Sequence, residues 1–176
     1  LGRKIFDPYS VESQQKEIDG LGLLDIETKF QKAKITSRVN AEFNGKRGDI
    51  FPFLPLLAQN SLSQELKGYE IHMGMSKGDI GLFKLRRVSE GYSDNPAKCY
   101  LDGSQNGNCW GTYIHGIFEN DYFRRGIIDY IRQIKGLTPL KFTFNYAQIK
   151  DNALENLSDT ISDNLDMDFI EGVLKL

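Results

Sequence analysis

Asn108-Cys109-Trp110-Gly111-Thr112-Tyr113-Ile114-His115-Gly116 marks the place where this chain changes its period. Before it, apolar residues recur at every second position. After it, Phe123, Ile127, Ile131 and Ile134 recur at spacings of three and four. The first period sends alternate side chains to opposite faces of a strand, and the second lines one face of a helix. Asp102-Gly103 and Asn106-Gly107 lie just upstream. Both dipeptides tolerate positive φ, so Cys99-Tyr100-Leu101 and Asn108–Gly116 are expected to form a β-hairpin.

Working outward toward the N-terminus, Leu24, Ile26, Thr28 and Phe30 alternate with charged residues, as do Ile35, Ser37, Val39, Ala41 and Phe43 with polar ones. These read as two half-buried strands, near enough in sequence to pair antiparallel. Residues 46–66 break the pattern with Pro52 and Pro55 and read as a variable surface insertion. Alternation returns at Tyr69, Ile71, Met73 and Met75, and Leu82–Leu85 begins another short strand. Toward the C-terminus, Asn120 or Asp121 can cap the helix that Gly136 ends. A second helix is expected over Tyr146–Asn164, with Ile149, Ala153, Leu157 and Ile161 on one face, and a last turn over Asp168–Leu174, so that 146–176 forms a C-terminal helical extension. Strands first and helices last predict part of an α/β domain with a mixed sheet.

The composition fits that reading. The 176 residues are 40% apolar and 26% charged with a net charge of −2, as in a soluble globular chain of one domain. That balance, with Arg124-Arg125 the only basic pair on the first helix, excludes a strongly basic nucleic-acid binder as the default. No apolar run reaches the roughly 18 residues of a membrane span, and Leu1–Pro8 carries no apolar signal core, so a cytoplasmic protein is expected. The chain opens with Leu1 rather than Met, the mark of a piece of something longer.

Two histidines are the candidates for chemistry. His115 ends an apolar strand, where ligands and catalytic groups of open α/β sheets gather. An imidazole there suits general-base work, and a strand-end histidine satisfied by a carbonyl is the equally open alternative. His72 shares a strand face with Glu70, and the pair can orient a substrate or form a solvated edge. Cys99 and Cys109 lie in expected strands rather than at a sharp strand-to-helix turn, so they read as small buried hydrophobes. They could also face each other across the hairpin. A zinc site from His72, His115, Cys99 and Cys109 matches no ligand spacing, and Gly20-Leu21-Gly22 lacks the lysine and helix of a phosphate loop.

Five segments occur in order: Gly20–Thr28, Gly68-Tyr69-Glu70-Ile71-His72-Met73-Gly74, Trp110–Phe118, Asp121-Tyr122-Phe123-Arg124-Arg125 and Leu165-Asp166-Met167-Asp168. Together they resemble the C-terminal, class I (triad-type) glutamine amidotransferase domain of the cobyric acid synthase family of cobalamin biosynthesis, over nearly the whole chain. The resemblance implies a flavodoxin-like domain, present here as its C-terminal portion across 1–176. It implies that a cysteine thiolate attacks the carboxamide of glutamine, that a histidine is its base, and that the ammonia passes to an N-terminal synthetase domain. That domain would use ATP and Mg to amidate four carboxylates of a corrinoid diamide.

The family histidine falls on His115, with Tyr69, Glu70 and His72 on the glutamine side of the cleft and the backbone of Gly111–Tyr113 as its floor. The family nucleophile lies in a Cys-Gly-Gly elbow placed immediately before Leu1-Gly2-Arg3. The chain is therefore expected to need that upstream segment as a partner and to be inactive alone, with no cofactor or metal of its own. Many triad enzymes carry a glutamate two residues after the histidine, where this chain has Ile117, so a backbone carbonyl or a water is expected to hold the ring. The competing expectations are a non-catalytic remnant or binding module, and the glutaminase of a related corrinoid diamide synthase.

Overall fold

The computed structural model describes residues 1–44, 65–88, 99–141 and 144–174. The expected insertion at 46–66 lies outside them, except that Glu65 and Leu66 are described. The chain forms two compact units, Leu1–Leu140 and Lys141–Leu176.

The first unit is built on strands β1 (Lys4–Phe6), β2 (Glu17–Asp19), β3 (Ile26–Phe43), β4 (Leu66–Gly78), β5 (Phe83–Arg87), β6 (Tyr100–Asp102), β7 (Ser104–Asn106), β8 (Cys109–Gly111) and β9 (Ile114–His115). Seven of them make a mixed sheet in the order β2-β1-β3-β4-β9, with β5 bridging β3 to β6. β1 and β3 run parallel, and the other pairs are antiparallel. Helix α1 (Asp121–Ile134) follows, with Asn120 at its N-cap and Gly136 just past its end at φ 70°. The α/β class, the mixed sheet and the C-terminal helices are those expected.

Two local readings are corrected. The alternating runs 24–30 and 35–43 are not an antiparallel pair; from Ile26 onward both belong to β3, and β4 pairs with both halves. Gln31-Lys32-Ala33-Lys34 has no Gly, Pro, Asn or Asp to reverse the chain, so the extra residues are absorbed as a bulge between Phe30 and Ile35. The bulge also resolves the change of phase from even to odd apolar positions, because Ile26, Thr28 and Ile35 then line one cavity. The hairpin exists, but its first arm is β7, with Ser104 opposite Gly111 and Asn106 opposite Cys109. Tyr100–Asp102 joins the main sheet beside β5 instead, and Gly103, at φ 75°, is where the chain leaves the sheet for the hairpin. The turn itself is carried by Gly107 at φ 56°.

The core lies where β3, β4, β5 and β9 meet α1. Val39, Ala41, Phe83, Leu85, Ile114, Ile117 and Phe123 are buried there. Trp110 meets Phe123 edge-on at 6.0 Å, which ties the hairpin to the helix. Each large apolar side chain so buried stabilises the unit by roughly 1.5–3 kcal/mol.

The second unit holds α2 (Tyr146–Asn164) and α3 (Met167–Leu174). Asn145 caps α2 by accepting the Gln148 N–H at 3.0 Å. The apolar stripe of α2, Ile149, Leu157 and Ile161, is exposed.

Candidate active site

β4 is the strand from which the site is read, because it lies between β3 and β9. Its register places Tyr69 opposite His115 and Glu70 opposite Ile114. Residues directly opposite in an antiparallel pair project to the same side, and neighbours along a strand to opposite sides. Tyr69 and His115 therefore share one face, exposed, and Glu70 and Ile114 share the other, buried. Gly68 permits the close approach of β9: a Cβ there would stand 2.5 Å from Ile114 Cγ2 and 2.6 Å from the His115 carbonyl oxygen.

The His115 ring is held by one hydrogen bond among the described residues, from Nε2 to the Ile71 carbonyl at 3.1 Å. A carbonyl only accepts, so Nε2 carries the proton and Nδ1 of the neutral ring is left with a free lone pair. Gly116, at φ 73°, then turns the chain into a short 3-10 helix over Ile117–Glu119.

On the opposite face Glu70, 4% exposed, is the centre of a charged cluster. Its Oε2 accepts from Arg87 Nε at 2.9 Å and the Tyr100 hydroxyl at 2.6 Å, and its Oε1 from His72 Nε2 at 2.7 Å. Burial pushes the Glu70 carboxyl up, but the bonds from Arg87, Tyr100 and His72 outweigh it and hold the group below its usual range. Tyr100 is pushed well above the ordinary phenol value, by burial first and then by its hydrogen bond to Glu70 and that carboxylate's charge. His72 Nδ1 meets the Gly74 carbonyl at 2.6 Å, and its ring stacks on Tyr113 with centroids 4.0 Å apart.

Beside this cluster Asp102, 7% exposed, accepts from the Thr112 hydroxyl and from the Tyr113 N–H at 3.1 Å. Burial raises its carboxyl above the usual value. Glu70, His72 and Asp102 line a cavity of about 370 Å³ together with apolar residues of β3; His115 does not border it.

The structure thus brings Tyr69 together with His115 and separates Glu70 and His72 from it by the thickness of the sheet. Arg87, Tyr100, Asp102 and Thr112 escaped the sequence reading. Asp102 was legible only as half of a turn dipeptide. Cys99 is exposed and precedes β6, and Cys109 lies opposite Asn106; neither is in a disulfide, and they do not face each other across the hairpin. Among the described residues no three His, Cys, Asp or Glu side chains converge as metal ligands, and no helix is long and apolar enough to cross a membrane.

The sequence that builds this sheet and its strand-end histidine matches a known family over residues 1–123, and the chain belongs to that family, the CobB/CobQ-like glutamine amidotransferase domains. Beyond the class, three of its relatives share one name. The chain is 41% identical to the cobyric acid synthase of Thermodesulfovibrio yellowstonii across 95% of this chain and 30% of the relative. It is 40% identical to that of Clostridium botulinum, across 99% and 32%. For Caldanaerobacter subterraneus the figures are 39%, 99% and 33%. The chain spans about a third of the length of these curated relatives.

Proposed function

We propose that this chain is the glutaminase portion of a cobyric acid synthase, with His115 as its general base and acid. The observation that carries the reading is the bond from His115 Nε2 to Ile71, which leaves Nδ1 as an exposed proton acceptor. A cysteine thiolate from elsewhere in the polypeptide attacks the glutamine carboxamide carbon. His115 Nδ1, protonated when the thiol ionises, gives that proton to the leaving nitrogen, and the C–N bond breaks to release ammonia and a glutamyl thioester. Water then attacks the thioester, His115 takes its proton, and glutamate leaves as the C–S bond breaks. Neither Cys99 nor Cys109 pairs with the His115 strand in the ladder, which supports a nucleophile from elsewhere in the polypeptide.

In the same reading, ammonia passes to a synthetase domain that uses ATP and Mg to amidate peripheral carboxylates of a corrinoid diamide in the cytoplasm. Tyr69, on the face of His115, borders the glutamine. Glu70 and His72 shape the strand from behind rather than touching substrate. The test is transfer of label: the full-length polypeptide, given glutamine labelled with nitrogen-15 in its amide, ATP, Mg and the corrinoid diamide, is expected to place the label in the new amides. Label confined to free ammonia, or amidation that ignores glutamine, overturns the proposal.

A further inference from the structure

We infer that Asp102 and Thr112 form a clasp that positions His115 for proton transfer. This rests on the reading of His115 as the base. The hairpin register pairs Ser104 with Gly111, so Asp102 and Thr112 stand at the hairpin's neck, one on the strand that enters it and one on the segment that leaves. Two bonds close the neck and a third braces the segment beyond it. Asp102 Oδ2 accepts the Thr112 hydroxyl and the Tyr113 N–H, and Thr112 Oγ1 in turn accepts the Ile114 N–H at 3.1 Å. One carboxylate therefore fixes three successive residues, and the next in the chain is His115.

The anchor sits inside the main sheet, and the anchored strand is short. Asp102 lies opposite Phe83, which is fully buried. β9 has only Ile114 and His115 in its ladder with β4, too few residues to fix a direction unaided. The chain bends at Tyr113 between β8 and β9, and the stacking of Tyr113 on His72 holds the bend from a second side. Loss of the clasp keeps the imidazole in the chain but loosens the segment that aims it. A misplacement of about 1 Å in a proton-transfer group costs about 10²-fold in rate.

The test uses the full-length polypeptide. Thr112→Val keeps the branched shape and removes both the donor and the acceptor. It is expected to lower kcat with glutamine by about 10²-fold, with KM for glutamine and ammonia-supported amidation unchanged. Thr112→Ser, which restores the hydroxyl, is expected to recover most of the rate, and Asp102→Asn to resemble Thr112→Val. Wild-type kcat in Thr112→Val overturns the clasp, as does a parallel fall of the glutamine- and ammonia-supported rates, which marks a merely structural role. If Asp102→Asn does not fold, the two Thr112 variants decide. The His115→Ala variant separates the two claims: full glutamine use there overturns the base itself, whereas its loss beside an unaffected Thr112→Val overturns the clasp alone.

Discussion

Replacing His115 by alanine in the full-length polypeptide is expected to lower glutamine-dependent amidation by about 10²–10⁴-fold, the usual worth of a positioned general acid–base group. Amidation driven by added ammonia is expected to persist, because ammonia enters after the step that His115 serves. The asymmetry follows from where the residue sits. His115 is exposed at the end of a two-residue strand and, among the described residues, contributes one ring bond to the fold, to Ile71. Its loss removes chemistry and little packing, so the thermal midpoint is expected to move by no more than a surface substitution allows, within about ±0.5 kcal/mol. Comparing initial rates on the two nitrogen sources, with a melting curve alongside, checks all three statements. Equal loss on both sources would assign His115 a role in folding instead.

Replacing Glu70 by alanine is expected to act in the opposite way, costing stability first. Its carboxylate is shared by donors from β4, β5 and β6, and removing one partner of a buried charge cluster costs about 3–5 kcal/mol. The lower end applies, because Arg87 is 46% exposed and can rehydrate. About 3 kcal/mol corresponds to a fall of roughly 6–12 °C in melting midpoint for a chain of this size. The pH dependence fixes the cause. The folded Glu70 carboxyl lies below its unfolded value of about 4.3, so its contribution is complete above that value and is lost as pH falls through the folded one. Asp102 is raised, so its contribution runs the other way and declines as pH rises through its folded value. Asp102 is present in both proteins, and because the Glu70 charge is the smallest of the causes acting on it, most of its contribution cancels in their difference. The gap in melting midpoint between wild type and Glu70→Ala is therefore expected to be wide at pH 7 and to narrow below pH 4. A gap that stays constant with pH would assign Glu70 a packing role only.

The sequence carried the architecture where it depended on local period and capping. α2 runs over the expected span Tyr146–Asn164, with Asn145 as its cap, and α1 ends ahead of Gly136. Period cannot say whether two alternating runs are two strands or one strand with a bulge. Here the missing turn residues at 31–34 were the available clue. Dipeptide chemistry also misled at Asp102-Gly103, where the glycine does adopt positive φ but as an exit from the sheet rather than a hairpin tip. At the site, the shared face of Glu70 and His72 was legible from their spacing. Their partners were not, because Arg87 and Tyr100 reach Glu70 from strands 17 and 30 residues away. Nor was the separation of that pair from His115, which depends on the register of β9 against β4.

The central claim concerns one lone pair, on His115 Nδ1, and nitrogen-15 NMR of histidine-labelled full-length polypeptide at pH 8, where an ordinary imidazole is neutral, measures it directly. The resonances lost in His115→Ala identify the ring. The bond to Ile71 predicts a protonated Nε2 and an unprotonated Nδ1. A ring protonated at Nδ1, with Nε2 bare, would contradict the account.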